Sequence, residues 1–368
     1  PKGEIYSEFK KNYKKFSKFK GAVIIRVPIL PRKANNLNLA LNYISFLLSS
    51  IFIGYFKLKG KEFDLIFTCQ LSPVTIGITS AFFAKIRKIP QVFWVQDLWP
   101  DTLVALNIMT KNWQINLFKN LVNWIYSRCD LILAQSENIL KEIKKYSSVK
   151  NNIYYFPTWG ESDLFLKIAP PAPEIKPKDI FTILFAGNIG EAQDFPNLIN
   201  AVQNMIFNNV TNFRIILIGD GSKKEWVKME VKKLNIEKYF EFYNSYPLER
   251  MPSFFRHADA LMVSLLNKKV FNMTIPGKIP FYLGSGIPII GMICGAGAEV
   301  IKKSKGGWVC DSGDYLNLSK IIQNIILLEK EELKKIGLKG KEYANKEFSK
   351  QTLINKLNKI FIEITNKN

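Results

Sequence analysis

Short apolar runs alternate with longer helical patterns along most of the chain beyond residue 60. The runs are rich in Val, Ile and Phe, as are strands that are buried on both faces of a parallel sheet. Their alternation with helical patterns predicts parallel strands joined by crossover helices, and hence doubly wound α/β domains. The predicted strands are FDLIF (63–67), QVFWVQ (91–96), LILAQS (131–136), NIYYFP (152–157), FTILFAG (181–187), FRIILIGDG (213–221), YFEFYN (239–244), DALMVSL (259–265), IPIIGMI (287–293) and GGWVCD (306–311).

A proline-rich stretch without periodicity, residues 168–179, separates the first four predicted strands from the last six. The length of 368 residues also favours two domains, at roughly 150 residues for each. We therefore expect an N-terminal domain over residues 1–167, a linker over 168–179 and a C-terminal domain over 180–345. The helical pattern of residues 346–368 could cross back to the first domain.

The composition is that of a strongly basic globular protein. Lys and Arg number 52 against 31 Asp and Glu, a net charge of +21, and 47% of residues are hydrophobic, which excludes disordered and collagen-like chains. His257 is the sole histidine, so a multi-histidine metal site is excluded. The four cysteines show no C-x-x-C spacing and are typical of reduced residues in a cytoplasmic protein.

Several catalytic and binding motifs are absent from the sequence. It contains no P-loop and no H-E-x-x-H, and no predicted strand is followed by G-x-G-x-x-G. It also lacks the D-x-D spacing of a metal–diphosphate clamp. We therefore predict no metal site and no cofactor, and no nucleic-acid partner, because no nucleic-acid-binding module is recognisable.

The N-terminal part of the sequence combines basic, aromatic and apolar residues. Residues 9–20 interleave Phe and Tyr with lysines, a pattern that fits a membrane surface, nucleic-acid binding or plain solvated lysines. Residues 34–56 contain no charge, and this length would span a bilayer. The Asn and Ser residues within the run favour instead an amphipathic helix packed on a sheet, with one face at the membrane.

Small residues follow two of the predicted strands, where ligands bind in open α/β sheets. Residues 187–190 read Gly-Asn-Ile-Gly and residues 219–222 read Gly-Asp-Gly-Ser, and such turns let backbone N–H groups approach a phosphate. Glycine turns are also common in α/β proteins without that function. Lys278 begins a predicted helix, where the helix dipole disfavours a cation unless an anion binds beside it. Lys278 is therefore a candidate diphosphate clamp, with a surface lysine as the alternative.

A polar pair, Gln96 and Asp97, ends the predicted strand 91–96 and precedes a Trp-Pro corner. Polar residues at the carboxyl end of a strand favour a role in a site. Helix capping and turn support remain the alternative for Asp97.

Four segments in order resemble glycosyltransferase family four: WVQDLWPDTL (94–103), FTILFAGNIGEAQDFPNLINAV (181–202), LIGDGSKKE (217–225) and PGKIPFYLGSGIPIIGMICGAGAEVI (276–301). Within that family the chain is similar to bacterial O-antigen, capsule and colanic-acid transferases, including L-N-acetylfucosaminyltransferases. The resemblance implies a GT-B architecture, in which two Rossmann-like doubly wound domains face a cleft and no metal is required. The first domain would be N-terminally truncated and would lack its central strand.

The resemblance also implies roles for individual residues. The acceptor would bind the first domain and the nucleotide-sugar would bind the second. The implied nucleotide-sugar contacts are Gly187, Asn188, Gly190, Gly219, Gly221, Lys224 and Gln96, and the implied catalytic residues are Asp97, Lys278 and Glu299.

The sequence departs from the family pattern at several of these positions. Gln96 stands where many relatives have a histidine, and Asn188 and Gln193 replace a basic pair that neutralises the diphosphate. Met273 and Phe281 occupy the places of two glutamates that lie eight positions apart. Phe281 is the change that most weakens an expected contact with sugar or ribose.

The function that the resemblance implies is retaining transfer of a sugar from an NDP-sugar, expected to be a UDP-linked N-acetylated amino sugar. The acceptor would be a polyprenyl-diphosphate-linked sugar of cell-surface polysaccharide biosynthesis. We expect a cytoplasmic protein, peripheral on the inner face of the plasma membrane through its basic aromatic N-terminal segment. The alternatives are a non-catalytic or degenerate GT-B scaffold and a GT-B sugar-nucleotide epimerase.

Overall fold

The computed structural model describes residues 17–31, 36–146 and 152–366 of the chain. The chain forms two compact units. The first unit contains the residues up to 134 together with residues 140–154 and 359–368, and the second unit contains residues 135–139 and 155–358. The chain therefore returns to the first unit near residue 359.

In chain order, the strands and helices up to residue 155 are β1 (Lys18–Phe19), β2 (Ala22–Val23), α1 (Asn36–Leu58), β3 (Ile66–Gln70), α2 (Ile76–Arg87), β4 (Gln91–Val95), α3 (Asp101–Ala105), α4 (Asn112–Tyr126), β5 (Leu131–Ala134), α5 (Glu137–Ile143) and β6 (Ile153–Tyr155). Strands β3 to β6 form one sheet in that order, and β3, β4 and β5 run parallel. Every residue of β4 and β5 is buried, which explains their continuous apolar sequences. Helices α2 and α4 pack on each other, because a Cβ atom on Gly77 of α2 would lie 2.5 Å from the side chain of Ile125 of α4.

The remaining elements are β7 (Phe181–Ala186), α6 (Phe195–Phe207), β8 (Phe213–Ile218), α7 (Lys224–Lys233), β9 (Phe240–Tyr243), α8 (Met251–Phe255), β10 (Ala260–Ser264), α9 (Lys269–Met273), α10 (Lys278–Ser285), β11 (Ile289–Met292), α11 (Gly295–Ser304), β12 (Gly307–Cys310), α12 (Tyr315–Ile326), α13 (Lys330–Glu347) and α14 (Lys350–Thr365). All six strands pair in parallel, in the order β12-β11-β10-β7-β8-β9. If these strands are numbered 1 to 6 in chain order and the sheet is read from β9 to β12, the order is 3-2-1-4-5-6. This is the strand order of dinucleotide-binding folds. Large apolar clusters cover both faces of this sheet.

Each of the ten predicted strands overlaps a strand of the structure, so the predicted α/β fold with parallel sheets is confirmed. The first predicted strand is shifted, because the strand covers Ile66–Gln70 and not residues 63–67. Residues 36–56 of the uncharged run lie in the predicted helix, α1, which contacts α2 through a 2.8 Å hydrogen bond between Ser50 Oγ and Thr79 Oγ1. Of the basic aromatic segment 9–20, residues 9–16 lie outside the described residues.

The proline-rich residues 168–179 belong to the second unit and do not stand between two units as the predicted linker. Ala172 and Ile175 are each 1% exposed in the core of this unit. The guanidinium of Arg214 also donates a 2.9 Å hydrogen bond to the carbonyl of Lys176. Prolines exclude regular helices and strands from such a segment, but they do not prevent it from packing.

Candidate functional site

A cavity of about 360 Å³ lies in the second unit at the carboxyl ends of β7 and β8. Such strand ends are where open α/β sheets bind their ligands. The loop after β9 and the first turn of α10 complete the wall. The lining residues used below are Trp159, Glu161, Gly187, Gly219, Tyr246, Lys278 and Phe281.

The two glycine loops that border this cavity pack directly on each other. Gly219 has φ +150°, and a Cβ atom there would overlap the carbonyl oxygen of Gly187. Gly221 has φ +157°, and its Cβ atom would overlap the carbonyl oxygen of Ile189. The amide of Ile189 donates to the carbonyl of Asp220 over 2.9 Å. The glycines are therefore required for loop packing, and this packing brings Gly187 and Gly219 to the cavity wall.

Lys278 places an amine in the cavity beside the first glycine loop. A Cβ atom on Gly187 would lie 3.1 Å from its Nζ, and Nζ lies 3.4 Å from the centroid of the Phe185 ring. Burial lowers the pKa of Lys278 to about 7. A protonated amine so placed gains from the ring face but lacks most of its hydration, so an anion in the cavity would stabilise its charge.

Tyr282 fixes the helix that carries Lys278. Its hydroxyl accepts a 2.8 Å hydrogen bond from the amide of Ala186 and donates a 3.0 Å bond to the carbonyl of the same residue. Residues four apart lie on the same side of a helix, so Lys278 follows the position of Tyr282. This pair of bonds holds the first turn of α10 against the end of β7.

Glu161 supplies a carboxylate to the cavity, and sequence reasoning missed it. Among the cavity-lining residues of the described chain it is the one carboxylate, and Phe281, at a position where the family resemblance implies a glutamate, also lines the cavity. The indole of Trp159 donates to Glu161 over 3.1 Å, and Lys350 Nζ lies 2.9 Å from its other oxygen. The sequence signal for Glu161 is its place shortly after the predicted strand NIYYFP, because open α/β sheets bind their ligands beyond the carboxyl ends of strands.

Lys224 lies behind the cavity wall and not at its surface. It is 6% exposed, and its ammonium group donates to the carbonyl of Gly219 over 2.8 Å and to the carbonyl of Tyr243 over 2.9 Å. A third, 3.4 Å bond reaches Asn244. Because an ammonium group has three donors, this lysine joins the ends of β8 and β9 and has none left for a phosphate.

Asn188 and Gly190 form a turn before α6 and do not line the cavity. The side chain of Asn188 is exposed and donates over 3.3 Å to Gln193 Oε1, which also accepts a 3.1 Å bond from the amide of Gly190. Glu299 lies on an exposed side of α11, where it faces Lys303 over 3.9 Å. The structure thus brings Gly187, Gly219 and Lys278 together, but not these three residues.

Gln96 and Asp97 belong to the first unit, where they directly follow β4. Both are half-buried, and the amide of Gln96 donates a 3.0 Å bond to the carbonyl of Gln70 at the end of β3. Burial raises the pKa of Asp97 to about 6. Within the part of the chain that the structure describes, no group of three or more His, Cys, Asp or Glu residues could hold a metal ion.

Residues 170–343 match the family described as glycosyl transferases group 1. A relative from Bacillus anthracis, N-acetyl-alpha-D-glucosaminyl L-malate synthase, is 26% identical over 152 residues. This match covers 41% of the chain and only 38% of the length of that relative.

Solved structures resemble the chain over most of its length. Sucrose-phosphate synthase from Thermosynechococcus elongatus has a TM-score of 0.70 at 14% identity, and the match covers 94% of this chain and 84% of that one. HepE from Anabaena, in complex with UDP and glucose, has a TM-score of 0.67 at 14% identity, with 90% and 83% covered. Identities this low show the fold alone. The chain therefore has the α/β fold of GT-B glycosyltransferases, and residues 170–343, in its second unit, match the group 1 family of glycosyl transferases.

Proposed function

We propose that the protein transfers a sugar, an N-acetylated amino sugar, from a UDP-linked donor to a lipid-linked acceptor with retention of anomeric configuration. The observation that carries the proposal is the amine of Lys278 beside Gly187 in the cavity at the strand ends. The UDP in the HepE structure supports the nucleotide, and the relative from Bacillus anthracis supports the amino sugar.

The reaction breaks the bond between the anomeric carbon and the diphosphate oxygen, and it joins that carbon to an acceptor hydroxyl. Negative charge develops on the departing diphosphate while the sugar approaches an oxocarbenium ion. Lys278 and the backbone N–H groups of the glycine loops are the donors available to that charge. The leaving phosphate oxygen takes the proton of the acceptor hydroxyl, and Asp97 orients the acceptor.

The nucleoside would bind against the aromatic wall of the cavity. Tyr246 offers a ring face, and Glu161 offers carboxylate oxygens to the ribose hydroxyls, as an acidic residue does in dinucleotide-binding folds. A carboxylate has about four acceptor positions, so ribose would share Glu161 with its protein partners. Glu161 would then take the place of the glutamate that Phe281 replaces.

The acceptor that we propose is a polyprenyl-diphosphate-linked sugar of cell-surface polysaccharide biosynthesis, reached from the cytoplasmic leaflet of the plasma membrane. The net charge of +21 and the lysines of residues 9–20 support attachment to anionic lipid. The protein would then be cytoplasmic and peripheral on that membrane.

The first test is UDP binding followed by transfer. UDP at about a hundred times its dissociation constant should add roughly 2.7 kcal/mol to the free energy of unfolding. Lys278→Met should lower this gain, whereas Lys302→Met, at an exposed position of α11, should not. Release of UDP from the sugar donor only when acceptor lipid is present would support transfer.

Two results would contradict the proposal. Release of UDP without any acceptor, together with an altered sugar, would indicate an epimerase. The absence of stabilisation by UDP, GDP and ADP sugars alike would indicate a non-catalytic scaffold.

A further inference from the structure

We propose that one face of the first unit, formed by the outer sides of α1, α2 and α4, binds the surface of a bilayer that contains anionic phospholipid. We call it the helical face. The inference rests on the proposed membrane location, and it identifies a surface other than residues 9–20. Its test does not depend on sugar transfer.

Helix α1 exposes a continuous apolar stripe. Five of its residues follow one another at spacings of three or four positions, which places them on one side of a helix. Phe56, beside this stripe, is 72% exposed. The stripe consists of Leu41, Ile44, Leu48, Phe52 and Tyr55, with exposed fractions between 40% and 63%.

The opposite side of α1 packs on α2, so the helix lies along the unit. Ser50 contacts Thr79 over 2.8 Å, and a Cβ atom on Gly54 would lie 3.2 Å from the ring of Phe83. Residues 38–58 are long and apolar enough to cross a membrane. Because the middle of the helix is held on α2, it fits a helix lying in the interface better than one spanning the bilayer.

Helix α4 continues the apolar surface with aromatic residues. Trp113 is 63% exposed, Leu117 is 57% exposed and Trp124 is 39% exposed, at positions that share one side of the helix. The guanidinium of Arg128 lies 4.0 Å from the ring centroid of Trp124. Tryptophan is enriched at the level of lipid headgroups, where one part of its ring meets apolar chains and another meets water.

A crevice of about 460 Å³ joins the three helices into one surface. Ile51 of α1, Phe82 of α2 and Trp124 of α4 contribute apolar side chains to it, and Lys85 and Arg128 lie in its wall. Asp130 also lines it, with its carboxylate accepting a 2.7 Å bond from the amide of Gln91. The crevice therefore offers an apolar interior beside two cations and one carboxylate, and the carboxylate is hydrogen-bonded to the backbone.

The charge of the helical face favours anionic lipid over a protein partner. The three helices contain no Asp or Glu, and their charged residues are Lys57, Lys85, Arg87 and Lys119. The charged side chains of these helices are thus all positive, and an apolar surface beside positive charges matches a layer of acyl chains beneath anionic headgroups. A protein partner would have to present a uniformly acidic rim.

The experiment is flotation of the full chain with vesicles of phosphatidylglycerol and phosphatidylethanolamine. The double variant Phe52→Glu with Phe56→Glu should reduce the bound fraction at least tenfold. Phe207→Glu is the matched control, because Phe207 is 84% exposed on the second unit, and its binding should equal that of the wild type. Vesicles of phosphatidylcholine should bind the wild type less.

Two further measurements keep the result interpretable. Stabilisation by UDP should be the same in the double variant as in the wild type, which would separate loss of lipid binding from misfolding and from failure of the proposed donor site. Brominated lipids should quench tryptophan fluorescence in the wild type and clearly less in Trp113→Phe with Trp124→Phe.

Three outcomes would overturn the inference. Vesicle binding by the double variant at the wild-type level would exclude the helical face. Loss of binding only when the lysines of residues 9–20 are replaced would assign attachment to that segment alone. A wild-type dimer in solution that becomes monomeric in the double variant would show that a second copy of the chain covers this face.

Discussion

The lowered pKa of Lys278 couples donor binding to pH. Burial lowers its pKa to about 7, and a diphosphate beside the amine would raise that pKa, because the anion stabilises the charged form. UDP affinity should therefore be highest below pH 7 and should fall by up to about tenfold for each pH unit above 7. Calorimetric titration of UDP between pH 6.5 and 9 measures this slope, and Lys278→Met should flatten it. A variant with an unchanged slope would contradict the assignment.

The carboxylate of Glu161 should distinguish ribose from deoxyribose. A hydrogen bond to a charged group contributes about 1.5–3 kcal/mol, so the wild type should bind UDP more tightly than 2′-deoxy-UDP by about that amount. Glu161→Gln should lose most of this preference. The matched control is Glu347→Gln on α13, which lies outside the cavity lining. Equal discrimination by Glu161→Gln and the wild type would show that Glu161 only supports the fold.

Individual contacts were the least predictable level of the structure. Gly187 and Lys278 were placed at the cavity by their positions after a strand and at a helix start. Lys224 has a similar sequence signal, but its side chain turns inward to carbonyls of β8 and β9. The direction in which a side chain points depends on neighbours that are distant in sequence, and one sequence does not reveal them. The position of Glu161 at the cavity depends on such neighbours as well.

At the scale of elements, the contact between the two glycine loops should control both stability and donor binding. Gly219→Ala introduces a Cβ atom that overlaps the carbonyl of Gly187, at a φ of +150°. We expect the free energy of unfolding to fall by about 2–4 kcal/mol. Gly277→Ala is a matched control in the same cavity wall, because no atom lies within 4 Å of its added Cβ. Urea denaturation of both variants is the measurement, and equal stabilities would contradict the role of loop packing.

The strands were predictable because their apolar runs are local in sequence. β8 is buried at all six positions, and its nearly continuous apolar sequence can be recognised as a strand without knowing which strands pair with it. The proline-rich segment shows the opposite case. Its composition predicted a linker, but burial of Ala172 and Ile175 is decided by the surface on which they pack.

At the scale of the whole molecule, the last helix should contribute to the first unit. Phe361 of α14 lies 5.3 Å from Phe67, centroid to centroid, and both belong to that unit. Phe361→Ala should lower the unfolding free energy of the first unit by about 1–3 kcal/mol and leave UDP binding unchanged. Ile362→Ala, at a position that is 59% exposed, should change it by less than about 0.5 kcal/mol. Amide hydrogen exchange in β4 and β5 measures the stability of the first unit independently of the second. If these amides exchange as slowly in Phe361→Ala as in the wild type, the last helix does not stabilise the first unit.

The return of the chain at residue 359 also sets an order of events during synthesis. The second unit uses residues 135–139 and 155–358, so its sequence is complete before the first unit receives residues 359–368. Ribosomes add about 5–20 residues per second, so β3 to β6 would wait on the order of 10–40 s for the partner that Phe361 supplies. During that interval Phe67 has the ring of Trp94 beside it but lacks the ring of Phe361, so the packing of the first unit is completed only when the end of the chain has been synthesised.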